Sequence, residues 1–311
     1  MNDLITIDTE YAGMKSIAAS FLLKEKEHGI VIETNTTHAI PRILEAMESQ
    51  NIQREHLDYV IVTHVHLDHA GGAWSLLKAC PNAILLCHPK TAKHLINPSH
   101  LIKSAKSVYG EETFFGLYGE IEPIPEARVR VMSDGEQFRW KSRNFRFLYT
   151  KGHANHHFCI LDESDKRIYT GDSFGISYPH LSNGGRFIFP TTTPTDFDGE
   201  EALISLAKIV DSGAEAACLT HFGEIQNLRK HADDLEIGIK HCQTSLTLLD
   251  DLAPEERFPF LEKRMKEMIQ NLAQRRNVLL SEKDWEVLDL DVNLNAQGLS
   301  YVFAKSKNTK D

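Results

Sequence analysis

Four potential metal ligands, His64, His66, Asp68 and His69, fall within six residues of this chain, in the run Thr63-His64-Val65-His66-Leu67-Asp68-His69-Ala70-Gly71-Gly72. The run follows a β-type stretch, Tyr59 to Val62, and precedes a pattern that reads as helix. Alternate residues on extended or turning backbone share a side, so His64 and His66 project together, while Asp68 and His69 at a helix entrance face a point a few ångströms further on. One segment can thus feed two adjacent cations. A lone histidine in a strand is more often a core or surface residue than a ligand, but burying three imidazoles and a carboxylate with no partner would cost several kcal/mol. Gly71 and Gly72 allow the close backbone approach that a turn packed against ligands requires.

The rest of the chain bounds what such a segment serves. With 311 residues, 41% hydrophobic and 25% charged, the sequence has an ordinary globular composition, enough for one large domain or one domain plus an appendage. Its longest apolar runs, such as Tyr59 to Val62 and Ile84 to Cys87, are strand-sized and far short of the roughly 20 residues of a membrane helix, so no span is expected. The start, Met1 to Tyr11, is acidic and polar where a secretory signal needs a basic and then apolar stretch, which points to a cytoplasmic protein. Cys80, Cys87, Cys159, Cys218 and Cys242 are odd in number and widely spaced, as expected of reduced core thiols. A net charge of -10, with no large Lys and Arg cluster, argues against nucleic acid and for a small-molecule substrate.

Along the chain, Ser16 to Leu23 and Gly29 to Glu33 read as a hairpin, Ile40, Ile43, Leu44 and Met47 repeat at helical spacing, and Trp74 to Ala79 reads as helix before the strand Ile84 to Cys87. Residues 89 to 120 read as helices interrupted by Pro98, Gly110, Gly116 and Gly119, a candidate wall over a pocket. Strands are predicted at Arg128 to Met132, Phe145 to Thr150, Phe158 to Leu161 and Arg167 to Thr170, then a loop from Phe174 to Thr195, a helix capped by Asp198, and a buried strand from Ala216 to Thr220. Beyond Gly223 the pattern is charged and helical, with stripes at Leu235, Ile239, Cys242, Leu246 and Leu249 and at Phe258, Leu261, Met265, Met268 and Leu272. Such stripes are packing surface, in the same chain or in a homodimer. The expectation is an α/β domain over residues 1–225 and a mostly helical C-terminal extension over 226–311.

The motif His64-x-His66-x-Asp68-His69 resembles the signature of the metallo-β-lactamase superfamily, which includes lactonases, glyoxalase II enzymes, β-lactamases and flavodiiron proteins. Thr150-Lys151-Gly152-His153, Tyr169-Thr170-Gly171-Asp172 and Leu219-Thr220-His221-Phe222-Gly223 resemble its later motifs, in the family order, so that the likeness covers about residues 15 to 225. It implies a four-layer αββα sandwich with His64, His66 and His153 on one metal, Asp68, His69 and His221 on a second, and Asp172 bridging. Zinc suits these donors best, and iron and manganese also fit the ligand types. His157 matches a frequent family position and is similar to a residue orienting Asp172 or a ligand. Tyr178, His180 and Arg186, in the loop after Asp172, are candidates to line the pocket. His28, His38, His56, His88, His94, His100, His231 and His241 lack partner motifs and read as structural.

Two such metals would provide hydroxide near neutral pH and polarise a carbonyl, with Asp68 or Asp172 relaying the proton. Hydrolysis of a small ester, lactone, thioester or amide is therefore expected. The alternative is a di-iron oxygen-binding, redox or sensor protein related to flavodiiron proteins. Those typically carry glutamate at the position of His66 and append a flavin domain, and both features are missing here, although histidine-rich di-iron relatives lacking that domain resemble the chain. Lys263, Arg264, Arg275 and Arg276 do not match the glutathione-binding pattern of glyoxalase II enzymes.

Overall fold

Alternation along the strands decides the layers. The computed structural model describes residues 4–181, 186–192 and 196–308. Its first half runs β1 (Leu4–Asp8), β2 (Ala19–Glu25), β3 (His28–Ile32), α1 (Ile40–Ser49), β4 (Leu57–Ile61), α2 (Leu67–Ala70), α3 (Ala73–Ala79), β5 (Ile84–Cys87), α4 (Pro89–Ile96), α5 (Ser99–Tyr109), α6 (Glu111–Tyr118) and β6 (Val129–Val131). The second half runs β7 (Gln137–Trp140), β8 (Arg143–Tyr149), β9 (Phe158–Asp162), β10 (Arg167–Gly171), α7 (Gly199–Val210), β11 (Ala216–Leu219), β12 (Gly223–Gln226), α8 (Leu228–Thr247), α9 (Pro254–Arg275) and α10 (Glu282–Asn308).

Two six-stranded sheets result, in the orders β1-β2-β3-β4-β5-β6 and β12-β11-β10-β9-β8-β7. The β3, β4, β5 and β6 ladder is parallel, as is the β10 and β11 pair. Phe21, Leu23, Ile30, Ile32, Ile61 and Leu86 of the first sheet meet Phe145, Phe147, Phe158, Ile160, Tyr169 and Cys218 of the second in one apolar layer. Their neighbours Leu22, Val31, Val60 and Leu85 face outward against Ile43 and Met47 of α1 and Leu76 of α3. Leu161, Ile168, Ala217 and Leu219 likewise face Leu235, Ile239, Met265, Leu272, Val292 and Leu299 of the last helices. This two-residue period, apolar on both faces, is what a sheet sandwiched between helices demands, and it gives the four-layer αββα order.

The Met and aromatic stripe of the tail is thus packing within this chain: Leu261, Met265, Met268 and Leu272 are buried. Asp234, fully buried on α8, takes Arg275 at 3.1 Å and Arg276 at 2.5 Å and so ties α8 to the end of α9. No described helix is long and apolar enough to cross a membrane, and all five cysteines are free and buried.

Several sequence expectations need correction. Gly116 does not interrupt a helix; it lies within α6, where no neighbouring atom crowds it and its cost is only about 1 kcal/mol. Pro98, Gly110 and Gly119 do stand between helices or at their ends. Beyond Gly223 the chain first forms β12, paired antiparallel with β11, before α8 begins. The strands β1 and β7 were not anticipated either. All three are sheet edges, short and half-solvated, so their apolar signal is weak.

Candidate metal centre

The candidate ligands all leave strand ends or the turns after them, along one edge of the sandwich. His64 and His66 follow β4, Asp68 and His69 lie in α2, His153 follows β8, Asp172 follows β10 and His221 follows β11. The turn into Asp172 depends on glycine: Gly171 has φ +48°, and a Cβ there would lie 2.5 Å from both His157 Nε2 and Thr63 Oγ1. The loop carrying His153 is pinned by α7, where Ser205 Oγ donates to the Lys151 carbonyl at 2.6 Å and the Asp198 N–H donates to the Gly152 carbonyl at 2.8 Å. Asp198 also caps that helix, accepting from the N–H groups of Glu200 and Glu201.

These segments bring seven side chains together. His64 Nε2 lies 2.7 Å from His66 Nδ1, which lies 3.1 Å from His153 Nε2. Asp68 Oδ2 lies 3.4 Å from His221 Nε2 and 3.8 Å from His69 Nε2. Within each trio the ligand atoms are no more than 4.8 Å apart, so each can surround one ion. Asp172 stands between them. Its Oδ1 is 3.2 Å from His69 Nε2 and 3.6 Å from His221 Nε2, while its Oδ2 is 3.4 Å from His153 Nε2.

Two observations fit this donor set to cations. His69 Nε2 and Asp172 Oδ1 are buried, yet neither has a correctly aligned hydrogen-bond partner among the described residues. Buried polar atoms left this way are costly unless a further group satisfies them. The electrostatics agree. Burial, reinforced by the neighbouring imidazoles, holds His64 and His66 well below the ordinary histidine range, which keeps them neutral with lone pairs free. Burial also lowers His153. Burial alone would depress His69 and His221 too, but the surrounding carboxylates outweigh it: Asp172, Glu33 and Asp68 for His69, and chiefly Asp172 and Asp68 for His221. Burial works against ionising Asp68 and Asp172, yet the neighbouring imidazoles, His69 foremost, hold both carboxyls below their usual range. The pocket calls for positive charge where those protons sit, and a divalent cation supplies it.

The other ring nitrogens are held from behind. His69 Nδ1 bonds Glu33 Oε2, and the second oxygen of Glu33 accepts the Thr63 N–H at 2.6 Å. His221 Nδ1 donates to the Ile17 carbonyl at 2.9 Å, and Thr63 Oγ1 lies 3.0 Å from His64 Nδ1. His157 is fully buried behind Asp172, whose backbone N–H donates to its Nε2 at 3.3 Å. The His157 Nδ1 faces Thr150 Oγ1 at 2.8 Å and Ser173 Oγ at 3.1 Å. Such supports fix tautomer and ring orientation.

The loop residues separate. Tyr178 is buried and its hydroxyl bonds Asp291 on α10 at 3.2 Å. His180 is exposed and stacks on the outer side of Tyr178, 5.8 Å between centroids. Arg186 does not serve the pocket; its guanidinium clamps the carbonyls of Ser177, Phe222 and Glu224, bracing the segment after His221.

Sequence reasoning missed Glu33, Tyr11, Tyr118 and Asp291. Burial pushes both the Tyr11 and Tyr118 phenols up, and the charge of Asp68 pushes them further, which places the two rings on one flank of Asp68. Asn35, whose side chain donates to the Asp68 carbonyl at 2.9 Å, joins Tyr11, Thr36, His38 and Leu117 in lining a cleft of about 270 Å³ on that flank. Glu33 follows a strand as an isolated acid, and a run that places it opposite His69 has no local spacing signal.

Comparison with known proteins places this arrangement. The family model of the metallo-beta-lactamase superfamily matches residues 15–221. A metallo-beta-lactamase fold-containing protein of Sulfurisphaera tokodaii is 31% identical over 171 residues, 54% of this chain and 61% of that protein. A hydroxyacylglutathione hydrolase of Pelagibacter ubique is 26% identical over 156 residues, 50% of each chain. An atrochrysone carboxyl ACP thioesterase of Aspergillus fumigatus is 26% identical over 190 residues, 61% of this chain and 46% of that protein. The chain thus matches about half to three-fifths of the length of these curated relatives. In structure, an archaeal superfamily protein from Sulfolobus tokodaii superposes with a TM-score of 0.66 at 22% identity, over 96% of this chain and 98% of that one, and so shares the fold. With its family model matched and both triads at one sandwich edge, the chain belongs to the metallo-β-lactamase superfamily.

Proposed function

We propose that this protein is a two-metal hydrolase of a small carboxylic ester or thioester. The observation that carries the reading is the Asp172 carboxylate, one oxygen toward His69 and His221 and the other toward His153, so that a single side chain joins two triads. Divalent cations held there, zinc by the preponderance of imidazole, supply Lewis acidity and water of lowered pKa. The chain's own residues do the rest. His64, His66 and His153, kept neutral by burial, offer lone pairs, and Glu33 and the Ile17 carbonyl orient His69 and His221. Asp68, with 28% of its side chain exposed, faces the solvent side and is ionised at neutral pH, where its carboxylate can accept a hydrogen bond from an attacking water and orient it. The names of two relatives, a hydroxyacylglutathione hydrolase and an ACP thioesterase, support acyl transfer to water and favour thioesters.

The test is turnover of an ester, lactone, thioester and β-lactam panel by zinc-loaded protein, with Asp172→Ala beside it. An ester or thioester should be cleaved, and the variant should lose at least about a thousandfold in kcat/KM. No turnover of any substrate, or equal turnover by the folded variant, contradicts the proposal. Stoichiometric native iron with oxygen-dependent absorption bands would instead favour di-iron chemistry.

A further inference from the structure

We propose that the small cavity against His153 and Asp172 is the acyl pocket of this hydrolase, and that Leu235 and Ile239 of α8 limit it to a short acyl group of about acetyl size. The inference rests on the hydrolase reading and deepens it. It names which arm of the substrate lies where, and it makes the C-terminal extension part of the site.

The cavity measures about 20 Å³, room for a single water-sized or methyl-sized group. His153 and Asp172 line it together with Phe197, Ala202, Leu235 and Ile239, so a carbon group seated there lies next to a candidate ligand of each triad. Leu235 and Ile239 stand one turn apart on α8, and both are buried. The helix that carries them is docked closely. A Cβ on Gly175 would lie 2.5 Å from Leu235 Cδ2, and a Cβ on Gly238 would lie 2.6 Å from Pro190 Cδ. With no slack behind it, this wall cannot retreat for a longer chain without repacking.

The chemistry of the lining selects the occupant. Two polar neighbours are engaged elsewhere: Ser173 Oγ donates to the Thr150 carbonyl at 3.3 Å and lies 3.1 Å from His157 Nδ1, and Lys151 pairs with Glu201 at 3.6 Å. Phe197, Ala202, Leu235 and Ile239 offer an occupant carbon alone, which suits a short alkyl chain. The cleft of about 270 Å³ on the Asp68 flank is both larger and more polar, with Thr9, Glu10, Asn35 and His38 in its wall. A scissile ester or thioester carbonyl has two arms, and these two spaces divide them by size and polarity. The short apolar acyl arm enters the small cavity, and the larger polar leaving-group arm lies in the cleft.

The experiment holds the leaving group constant and varies the acyl chain, using acetyl, butyryl and octanoyl thioesters of N-acetylcysteamine with the full-length zinc-loaded protein. For the wild type, kcat/KM should fall at least about tenfold from acetyl to butyryl and further at octanoyl, since one methylene too many in a closed pocket costs about that factor. Ile239→Ala should raise the butyryl-to-acetyl ratio at least about tenfold. Ile239→Val should raise it about threefold, and it serves if the alanine variant does not fold. Leu246→Ala, which loosens the packing of the same helix away from the cavity, should leave the ratio unchanged. Wild-type turnover of octanoyl equal to that of acetyl, a ratio unmoved in both metal-replete Ile239 variants, or an equal shift in Leu246→Ala would overturn the proposal. Titration calorimetry with acetate and butyrate gives a second readout that needs no turnover. If no thioester is cleaved, yet the wild type prefers acetate and Ile239→Ala reverses that order, the hydrolase reading fails and the pocket stands. If thioesters are cleaved with no dependence on chain length, only the pocket fails.

Discussion

His69 presents Nε2 to the centre because its other nitrogen is held by Glu33, which is itself fixed by the Thr63 N–H and sits at φ +66°, a conformation that a non-glycine residue adopts at a cost. Glu33→Gln should therefore leave the fold intact while weakening the second cation. Zinc affinity, measured by competition with a chromophoric chelator, should drop about tenfold to a hundredfold, and an unchanged affinity would show that Glu33 does not position His69. The sequence makes the ligands legible because His64, His66, Asp68 and His69 crowd into one turn, and crowding is a signal that survives without a structure. Glu33 and Asp291 carry no such signal. Asp291 stands near Glu286 and Asp289 in Trp285-Glu286-Val287-Leu288-Asp289-Leu290-Asp291, a stretch that reads as a solvated helix face. Only the docking of α10 shows that one of these acids is buried.

At the scale of elements, strands covered on both faces were legible as continuous apolar runs, whereas of the four edge strands only β6 was anticipated, and β1, β7 and β12 were lost in polar alternation. The start of α4 offers a check on local physics. His88 is buried at the N-cap, and its Nδ1 accepts the Lys90 N–H at 3.0 Å, a role that needs the neutral ring. Burial, with Lys90 nearby, lowers this histidine to about 4 from its usual 6.5. Between these values the unfolded chain takes a proton that the folded one refuses. The stability is thus present above about pH 6.5 and is lost as pH falls through 4. His88→Asn keeps a capping acceptor without titrating. Between pH 7 and 4.5 the wild type should lose on the order of 1 kcal/mol more unfolding free energy than this variant, as read by denaturant titration. Equal pH dependence of the two would contradict the cap assignment.

For the molecule as a whole, the two sheets put the ends of β4, β8, β10 and β11 along one edge, and residues as distant in sequence as His64 and His221 converge there because the central layer locks the sheets in register. The superfamily was readable before the structure from the order of its motifs, and the layer order followed from that resemblance. The part played by the tail was not, because an amphipathic helix does not name the surface that it will cover. The most direct test of the account is the metal content of the reconstituted protein, measured by inductively coupled plasma mass spectrometry after exhaustive dialysis. Wild type should hold about two divalent ions per chain and Asp172→Ala about one or fewer; a wild-type content near zero, or two ions retained in Asp172→Ala, would contradict a centre in which Asp172 joins two triads.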